Sequence, residues 1–328
     1  MAAPLLTRKS LIVMEVESAY GTDATPQATT GGLLTTVPSM SIDSQVLDRI
    51  MITGTLSPTQ PVMGRTLTNI SFQTELKSQN EILDGVSSNP LELNPLLRMA
   101  GFKPTYTVET SAPGSNDGYV TYNLVDGVTN PFESVTLDFF SGNQVKHKIR
   151  GAYANLNMEF AAGNYPIINA EVKGLYDAPT DATSSTPGYA TDIPRMSESL
   201  ALAFGAVTGL VIRSFSINLN NEIIERPDVN SAEGTKGLRI SGRRPTASFV
   251  IEKELMATWN PYTAMKAGTT YALTFTHGST AGQKILVTIP KFTLTGISES
   301  DDNGIAMWNI DGLCARTTAD DELTLKFF

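Results

Sequence analysis

Apolar and polar residues alternate with a period of two along most of this chain. In residues 135–139, 156–160 and 168–172 every second side chain is apolar, and residues 70–76 follow the same rhythm. Such runs are typical of antiparallel strands with one buried and one exposed face. The alternation therefore predicts a mainly β protein. It returns in the second half of the chain at residues 215–217, 247–251, 273–275, 286–289, 292–297 and 305–313.

Two short segments with helical end signals interrupt these strands. Asn94 precedes Gly101 and Asn260 precedes Gly268, with a proline directly after each asparagine. Asparagine is a common helix cap, proline suits the first turn, and glycine suits the residue beyond the end. We therefore predict one short flanking α-helix in each half. About eight strands per half would form either a barrel or a sandwich, and the alternation is compatible with both.

The chain carries the same short signatures twice, in the same order. Such echoes predict two tandem copies of one β domain, and a duplicated domain halves the number of subunits needed to close a ring. Three of the echoes are Met-Ser-Ile-Asp at 40–43 with Phe-Ser-Ile-Asn at 215–218, Ile-Ser-Phe at 70–72 with Ala-Ser-Phe at 247–249, and Val-Lys-Gly-Leu at 172–175 with Ile-Asp-Gly-Leu at 310–313. The predicted organisation is an N-terminal strand and arm at 1–35, a first β domain at 36–176, a linker at 177–210 and a second β domain at 211–328.

Two long segments break the strand rhythm at matching places, residues 49–65 and residues 226–244. Both are rich in glycine or proline, and each begins and ends with an arginine. Hairpin loops usually have about 2–5 residues, and longer ones are normally functional or disordered. One hypothesis is a docking loop whose arginines pair with carboxylates of a neighbouring subunit. The alternative is a solvated loop with incidental arginines. Residues 106–131 are predicted to be a loop insertion of the first copy.

Composition excludes several classes of protein. The net charge of −9 argues against a protein that grips nucleic acid, because such a protein needs a basic surface. The single cysteine, Cys314, cannot form an intrachain disulfide, and we predict that it is a buried thiol. The longest apolar stretch, residues 200–212, is shorter than the ~20 residues that a membrane helix requires. We therefore predict a chain made and folded in the cytoplasm.

The residues that usually carry catalysis are scarce. Of the two histidines, His147 lies between lysines in a strand-like run, where a solvent-facing position is expected, and His277 precedes a predicted turn. No nucleophile elbow, phosphate loop or zinc-ligand spacing accompanies them. We therefore predict no catalytic, cofactor-binding or metal-binding residues and no enzymatic activity. A hydrolase hypothesis has almost no support.

Five segments carry a resemblance to a known family: residues 6–9, 15–23, 174–180, 277–282 and 320–325. Taken in order, they resemble the major tail tube protein of long-tailed bacteriophages with non-contractile tails, in a duplicated-domain form. The resemblance implies tandem tail-tube-like β-sandwich or barrel domains. It also implies a structural virion protein that self-assembles into homotrimeric rings of six quasi-equivalent domains. Such rings stack into a tube for genome ejection.

The resemblance also implies partners and contact residues. The expected partners are further copies of the chain, a tape measure protein in the lumen, tail terminator and tail-tip proteins at the ends, and viral DNA that passes without sequence-specific binding. No membrane is involved; the protein would be located in the virion tail after assembly in the host cytoplasm. In such tubes the long loop reaches the adjacent ring. The expected interface residues are Arg49, Thr53, Pro58, Pro61, Arg65, Arg226, Asn230, Lys236 and Arg244.

An alternative function is a tandem β-sandwich adhesin or carbohydrate-binding surface protein. Its sugar sites would need exposed aromatic rings, for which Trp259 and Trp308 are candidates. Trp259 lies beside a predicted helix cap and Trp308 in an alternating strand. We therefore predict that both rings pack in the core.

Overall fold

The computed structural model describes residues 4–79, 91–107, 118–198, 200, 202–205, 207, 209–231 and 234–328. Within these residues the chain is mainly β, as the alternation predicts. The three α-helices are α1 (Ala28–Gly31), α2 (Asn94–Met99) and α3 (Pro261–Ala267), and a 3-10 helix spans Thr7–Lys9. None of the helices in these ranges has the length and apolar character that a membrane crossing requires.

The strands fall into two groups along the chain, which we call the first half and the second half. The first half contains β1 (Leu11–Val16), β2 (Gly32–Leu33), β3 (Ser39–Leu47), β4 (Val62–Glu75), β5 (Phe102–Thr107), β6 (Tyr119–Leu124), β7 (Val135–Ser141), β8 (Val145–Ala161), β9 (Ile167–Tyr176) and β10 (Thr180–Asp181). The second half contains β11 (Ala203–Phe204), β12 (Ile212–Asn218), β13 (Asn221–Pro227), β14 (Thr235–Arg243), β15 (Thr246–Glu252), β16 (Thr270–His277), β17 (Ile285–Asp302), β18 (Ile305–Ala315) and β19 (Thr324–Phe327).

Each half pairs its strands in the same order. In the first half the antiparallel neighbours run β3–β4–β9–β8–β7–β1. In the second half they run β12–β15–β18–β17–β16–β11. The halves are joined where Ser214–Asn218 of β12 pairs with residues 157–161 of β8. This junction creates one run of eight strands, β3-β4-β9-β8-β12-β15-β18-β17, which we call the long sheet.

One face of the long sheet packs on the remaining strands in a sandwich. The alternate residues of β8, such as Leu156, Met158 and Phe160, are buried in a core cluster that includes residues of both halves. At the junction Phe160 stacks on Phe215 with ring centroids 4.5 Å apart. The C-terminal strand β19 pairs with β17 and with β6, so a second contact connects the halves. The predicted division into two domains and a linker stays a prediction.

The two predicted helices are present, but they begin differently. α3 has Asn260 as its N-cap, whose side chain accepts a hydrogen bond from the Thr263 amide at 3.0 Å, and Gly268 ends it in the left-handed conformation. In α2 the N-cap is Leu93, so the prediction that Asn94 caps the helix is wrong. The buried hydroxyl of Tyr122 donates to Asn94 Oδ1 at 3.0 Å, which gives this side chain another partner.

The strand pairing corrects one of the sequence echoes. Ile70 pairs with Met40 and Val172, and Phe249 pairs with Phe215 and Ile310. Ile70 therefore corresponds to Phe249, two residues beyond the Ala247 that the sequence similarity aligns with it. The echoes at 40–43 with 215–218 and at 172–175 with 310–313 agree with the pairing. A three-residue likeness is too short to fix a register that hydrogen bonds between distant strands determine.

Two segments predicted as loops contain strands. Residues 226–244 form most of a β13–β14 hairpin, so the prediction of a long irregular loop there is wrong. β6 lies within the predicted insertion at 106–131, of which 108–117 fall outside the described residues. Residues 48–61, by contrast, form no helix or strand, which agrees with the predicted loop at 49–65 except for residues 62–65, which belong to β4.

The N-terminal arm is fixed to its own chain by a buried carboxylate. Glu17 accepts hydrogen bonds from the amides of Gly21 and Gly151, each at 2.7 Å, and from the hydroxyls of Ser134 at 2.5 Å and Thr136 at 2.8 Å. Four donors around one acid offset the cost of burying its charge. The arm therefore needs no neighbouring subunit to become ordered.

Candidate assembly surfaces

The second face of the long sheet is polar and faces no other layer of the chain over most of its width. We call it the polar face. The apolar residues among the alternating positions of its middle section are Ala161, Ile167, Val250 and Met307. Its polar residues are Ser39, Ser41 and Asp43 on β3, Asn69, Ser71 and Gln73 on β4, Asn169, Glu171 and Lys173 on β9, Asn155, Asn157 and Glu159 on β8, Ser214, Ser216 and Asn218 on β12, Ser248 and Glu252 on β15, Asn309 and Asp311 on β18, and Ser298, Ser300 and Asp302 on β17.

Hydrogen bonds between neighbouring strands hold these side chains in place. Gln73 Nε2 donates to Asn169 Oδ1 at 2.7 Å, and Asn169 Nδ2 donates to Glu159 Oε1 at 2.7 Å. Asn155 Nδ2 donates to Asn218 Oδ1 at 3.2 Å across the junction of the two halves. Hydrogen bonds between amides and carboxylates therefore connect β4, β9 and β8, and one more joins β8 to β12.

The charges on this face are mostly negative. Among the residues named above, the one ammonium belongs to Lys173, and the carboxylates belong to Asp43, Glu159, Glu171, Glu252, Asp302 and Asp311. Ser248 Oγ donates to Asp311 Oδ1 at 2.5 Å, so this carboxylate is held by a hydroxyl and not by a cation. A surface of this kind lacks the row of cations that phosphate groups require for tight binding.

Both ends of the long sheet are free edges. Across the described ranges, β3 pairs with β4 alone. Residues 296–302 of β17 likewise pair with β18 on one side and with no described strand on the other. An unpaired edge of a sheet is a template for another strand. The two free edges therefore make the chain able to add a strand at each end.

An apolar arm extends from the first of these edges. It consists of the ends of β3 and β4 and the irregular residues 48–61 between them. Its exposed large apolar side chains are Ile42, Val46, Leu47, Ile50, Met51, Ile52, Leu56, Val62 and Met63. A cluster of this size on one segment is unusual for a monomer and marks an interaction surface.

The corresponding segment of the second half, the β13–β14 hairpin, packs on the first half of the chain. The β13–β14 hairpin lays Leu238 and Ile240 against Leu67 and Tyr153 of the first half, and all four are buried. The Leu238 amide donates to the Tyr20 hydroxyl at 2.6 Å. This hairpin therefore covers one end of the polar side of the long sheet, where the exposed residues would otherwise be apolar.

The structure distributes the predicted interface residues over three environments. Arg49, Thr53, Pro58 and Pro61 are exposed on the apolar arm. Arg65 lies on β4, where it forms an ion pair with Glu225 of the β13–β14 hairpin.

The remaining four lie on or beside that hairpin. Arg226 and Lys236 are exposed on its strands, and Arg244 is exposed directly after β14. Asn230 lies in the turn, where its amide donates to Asp228 Oδ1 at 3.0 Å. The sequence reasoning missed the polar face and the free edges. The signal for the face was present in the polar members of the alternating runs.

The groups most often used in catalysis are dispersed. Burial lowers the pKa of His277, and burial also lowers the pKa of His147, which stacks on Phe139. Burial raises the pKa of the Cys314 thiol to about 12. No cluster of three or more His, Cys, Asp or Glu residues suited to a metal occurs in the described ranges.

The two tryptophans are buried in the core, as predicted. Trp259 and Trp308 lie edge to face with ring centroids 5.9 Å apart. Neither ring is available to stack on a sugar, so the structural basis for the carbohydrate-binding alternative is absent at these two positions.

Comparison with known proteins places these surfaces in context. A family model described as phage tail tube protein matches residues 7–318, which is nearly the whole chain. No curated protein matches the chain.

Proposed function

Because the chain belongs to the phage tail tube protein family, we propose that copies of it join edge to edge into rings and that the rings stack into a hollow tube. The tube would conduct the viral genome during ejection without chemistry. The observation that carries this proposal is the β12–β8 junction together with the two free edges of the long sheet. The β12–β8 junction supports the proposal because it is an example, within one chain, of the contact proposed between chains.

The in-chain junction supplies a register for the contact between chains. Asn218, Ile217 and Ser216 pair with residues 157–159 of β8. β3 corresponds to β12, and β17 corresponds to β8. If β3 of one chain pairs with β17 of the next in the same register, Asp43, Ile42 and Ser41 lie opposite Ser300, Asp301 and Asp302, in this order. Ile42 is 46 % exposed in the single chain, whereas its counterpart Ile217 is 0 % exposed. Ring closure would bury Ile42 in the same way.

We propose three chains per ring. Each chain carries two strand series with the same pairing order, so three chains present six similar units around the axis. A contact of this head-to-tail kind closes when its rotation divides a full turn. Closure removes both free edges, which removes the hazard of open sheet edges.

The polar face would line the channel of such a ring. Duplex DNA carries about one negative charge per 1.7 Å, so a basic wall would bind it and slow its passage. Hydrogen-bonded amides and carboxylates such as Asn169, Glu159 and Glu171 repel or ignore a polyanion. Before ejection a tape measure protein would occupy the same channel, with tail terminator and tail-tip proteins at the tube ends.

Stacking of the rings would use the distal part of the apolar arm. Arg49, Thr53, Pro58 and Pro61 lie on this part, which extends beyond the paired residues of β3 and β4. The exposed side chains of Ile50, Ile52 and Leu56 would become buried against the next ring, as the hydrophobic effect favours.

Electron microscopy of the purified protein tests the proposal directly. We expect negatively stained rings with a central hole, and tubes at higher protein concentration. Analytical ultracentrifugation of the same sample should give a trimer as the smallest assembled species. A protein that stays monomeric at all concentrations, also after addition of preformed tube ends, would refute the proposal.

A further inference from the structure

The apolar arm and the β13–β14 hairpin occupy the same place in the two strand series. The first connects β3 to β4, and the second connects β12 to β15. Met63 lies seven residues before Ile70, and Gly242 lies seven before its counterpart Phe249. The pairs Val46–Met63 and Leu47–Val62 therefore lie at about the same level as Glu222–Gly242 and Ile223–Ile240, although a bulge in each ladder shifts the exact match by one residue.

The two elements differ in whether a surface supports them. Beyond Ile223–Ile240 the second hairpin continues as paired strands to Pro227 and Thr235, lying on the first half. Beyond Leu47–Val62 the apolar arm has no further pairing, and both of these side chains are exposed. An arm that packs on no surface gains no burial to offset the entropy lost when its backbone becomes ordered. This explains why residues 48–61 are unpaired whereas the second hairpin is paired.

The second half presents a surface that corresponds to the one the β13–β14 hairpin covers. Leu67 pairs with Leu175 in the first half, and Thr246 pairs with Leu313 at the same positions of the second. Gly296 corresponds to Tyr153 of the first half, because Tyr153 pairs with Lys173 and Gly296 pairs with Asp311, the counterpart of Lys173. Within the described part of the chain no hairpin covers this surface, and a Cβ at Gly296 would meet Asp311 alone, at 3.6 Å.

Charges at the two surfaces are complementary. In the first half Arg65 forms an ion pair with Glu225 of the hairpin that docks there. Arg244 has the same place in the second half, two residues before Thr246, and is exposed. Asp48 directly follows Leu47 on the apolar arm and is exposed as well. Among the described residues, neither Asp48 nor Arg244 takes part in an ion pair within the chain.

We propose that the base of the apolar arm, residues 44–48 and 61–65, docks sideways on the second half of the neighbouring copy in the same ring. Leu47 and Val62 pack over Thr246, Gly296 and Leu313, and Asp48 pairs with Arg244. The partner is a second copy of this chain. This inference rests on the proposed ring, but it does not depend on how rings stack.

Site-directed disulfide formation distinguishes this sideways contact from a contact between rings. The variant combines Leu47→Cys and Thr246→Cys in a Cys314→Ala background, because Cys314 lies close to residue 246. A sideways contact links the chains of one ring, so the covalent product on a non-reducing gel stops at the closed trimer. A contact between rings would produce a ladder that continues beyond three chains. The single-cysteine variants serve as controls and should give no product larger than a dimer.

A second measurement does not depend on the exact distance between two sulfurs. The double substitution Leu47→Ser with Val62→Ser should lower the yield of rings at least about tenfold, because the docked apolar contact is lost. The control is Ile193→Ser, which changes a more exposed apolar residue of the 182–198 segment and should leave the ring yield unchanged. Circular dichroism confirms that each variant folds.

The outcomes separate this inference from the proposed function. If the parent protein forms rings, but the cysteine pair gives no closed trimer and the double serine variant still forms rings at normal yield, the sideways docking is wrong and the ring proposal stands. A cross-linked ladder longer than three chains also overturns the sideways docking. If the parent protein forms no rings under any condition, the proposed function fails, and this inference fails with it.

Discussion

The register of the contact between chains can be tested by the sign of a single charge. Ile42 is 46 % exposed in the single chain, and the proposed register places it opposite Asp301 of the next copy. Ile42→Asp and Ile42→Lys both remove the apolar side chain. Only the aspartate variant brings two like charges together, whereas the lysine variant brings opposite charges together.

The magnitude follows from burial and from Coulomb's law. Full burial of an aliphatic side chain contributes about 1.5–3 kcal/mol, so burying the remaining half of Ile42 contributes about 1 kcal/mol, and both variants lose it. For charges a few ångströms apart near a protein surface, the difference between attraction and repulsion is on the order of 2 kcal/mol after solvent screening. We therefore expect the association constant at each contact to be about thirtyfold lower for Ile42→Asp than for Ile42→Lys.

Sedimentation velocity over a range of protein concentrations measures this difference, and negative-stain microscopy shows whether rings remain. The difference should shrink at 1 M salt, where charges are screened beyond about 3 Å. Adding Asp301→Asn to the Ile42→Asp variant removes the like-charge repulsion but not the loss of the apolar contact, so the association constant should recover only in part. Equal association constants for the aspartate and lysine variants at low salt would refute the proposed register.

Three further predictions concern single residues in the core of the chain. Glu17→Ala leaves four donors without their acceptor and should lower the free energy of unfolding by about 3 kcal/mol in urea titrations; a loss below about 1 kcal/mol would show that the arm is held by other contacts. Burial lowers the pKa of His277 below its ordinary 6.5. The stability that this histidine contributes above pH 6.5 should therefore decline as the pH falls through the folded-state pKa. His277→Gln should lessen that decline, and a variant whose Tm depends on pH as the parent's does would contradict this. Burial raises the pKa of the Cys314 thiol to about 12, so this thiol should not react with a thiol reagent at pH 8 until urea unfolds the chain. The stability of the protein should also decline as the pH rises above the ordinary thiol pKa of 9.0. Rapid reaction of the native protein would disprove the burial of Cys314.

The strands were predictable where burial alternates along a single face. In β8 and β9 every second residue enters the core, so the period of two is visible in the sequence alone. β14 does not show this period, because Gly237 adopts a φ of 120° and Leu238 follows it into the buried set. The buried residues of β14 pack against the first half of the chain. A local sequence pattern cannot predict a contact between residues so far apart in the sequence. For the same reason the hydrogen-bond partner of Asn94 could not be predicted, because this partner, Tyr122, lies on a distant strand.

The candidate assembly surfaces were only partly predictable for a related reason. Glycine and proline correctly marked most of residues 49–65 as irregular, because these residue types act on the local backbone, but residues 62–65 belong to β4. Whether a strand has a free edge depends on which strands pair with it, and β3 and β12 look alike in sequence. Only the pairing of β12 with β8 shows that one is covered within the chain and the other is not.

The covered and uncovered edges differ in a way that bears on when rings form. Inside one chain the junction partners belong to the same polypeptide, which gives them a high effective concentration, and their pairing includes the buried Met158 opposite Ile217. Between chains the proposed pairing offers Asp301 opposite Ile42, at the dilute concentration of free protein. Charged residues on an exposed edge are a known device against premature pairing. A newly folded chain would therefore keep its own junction closed, and its outer edges would pair stably only where a neighbour also receives the base of the apolar arm. Ring closure would then require both contacts at once, which makes growth on an existing ring more favourable than association of free chains.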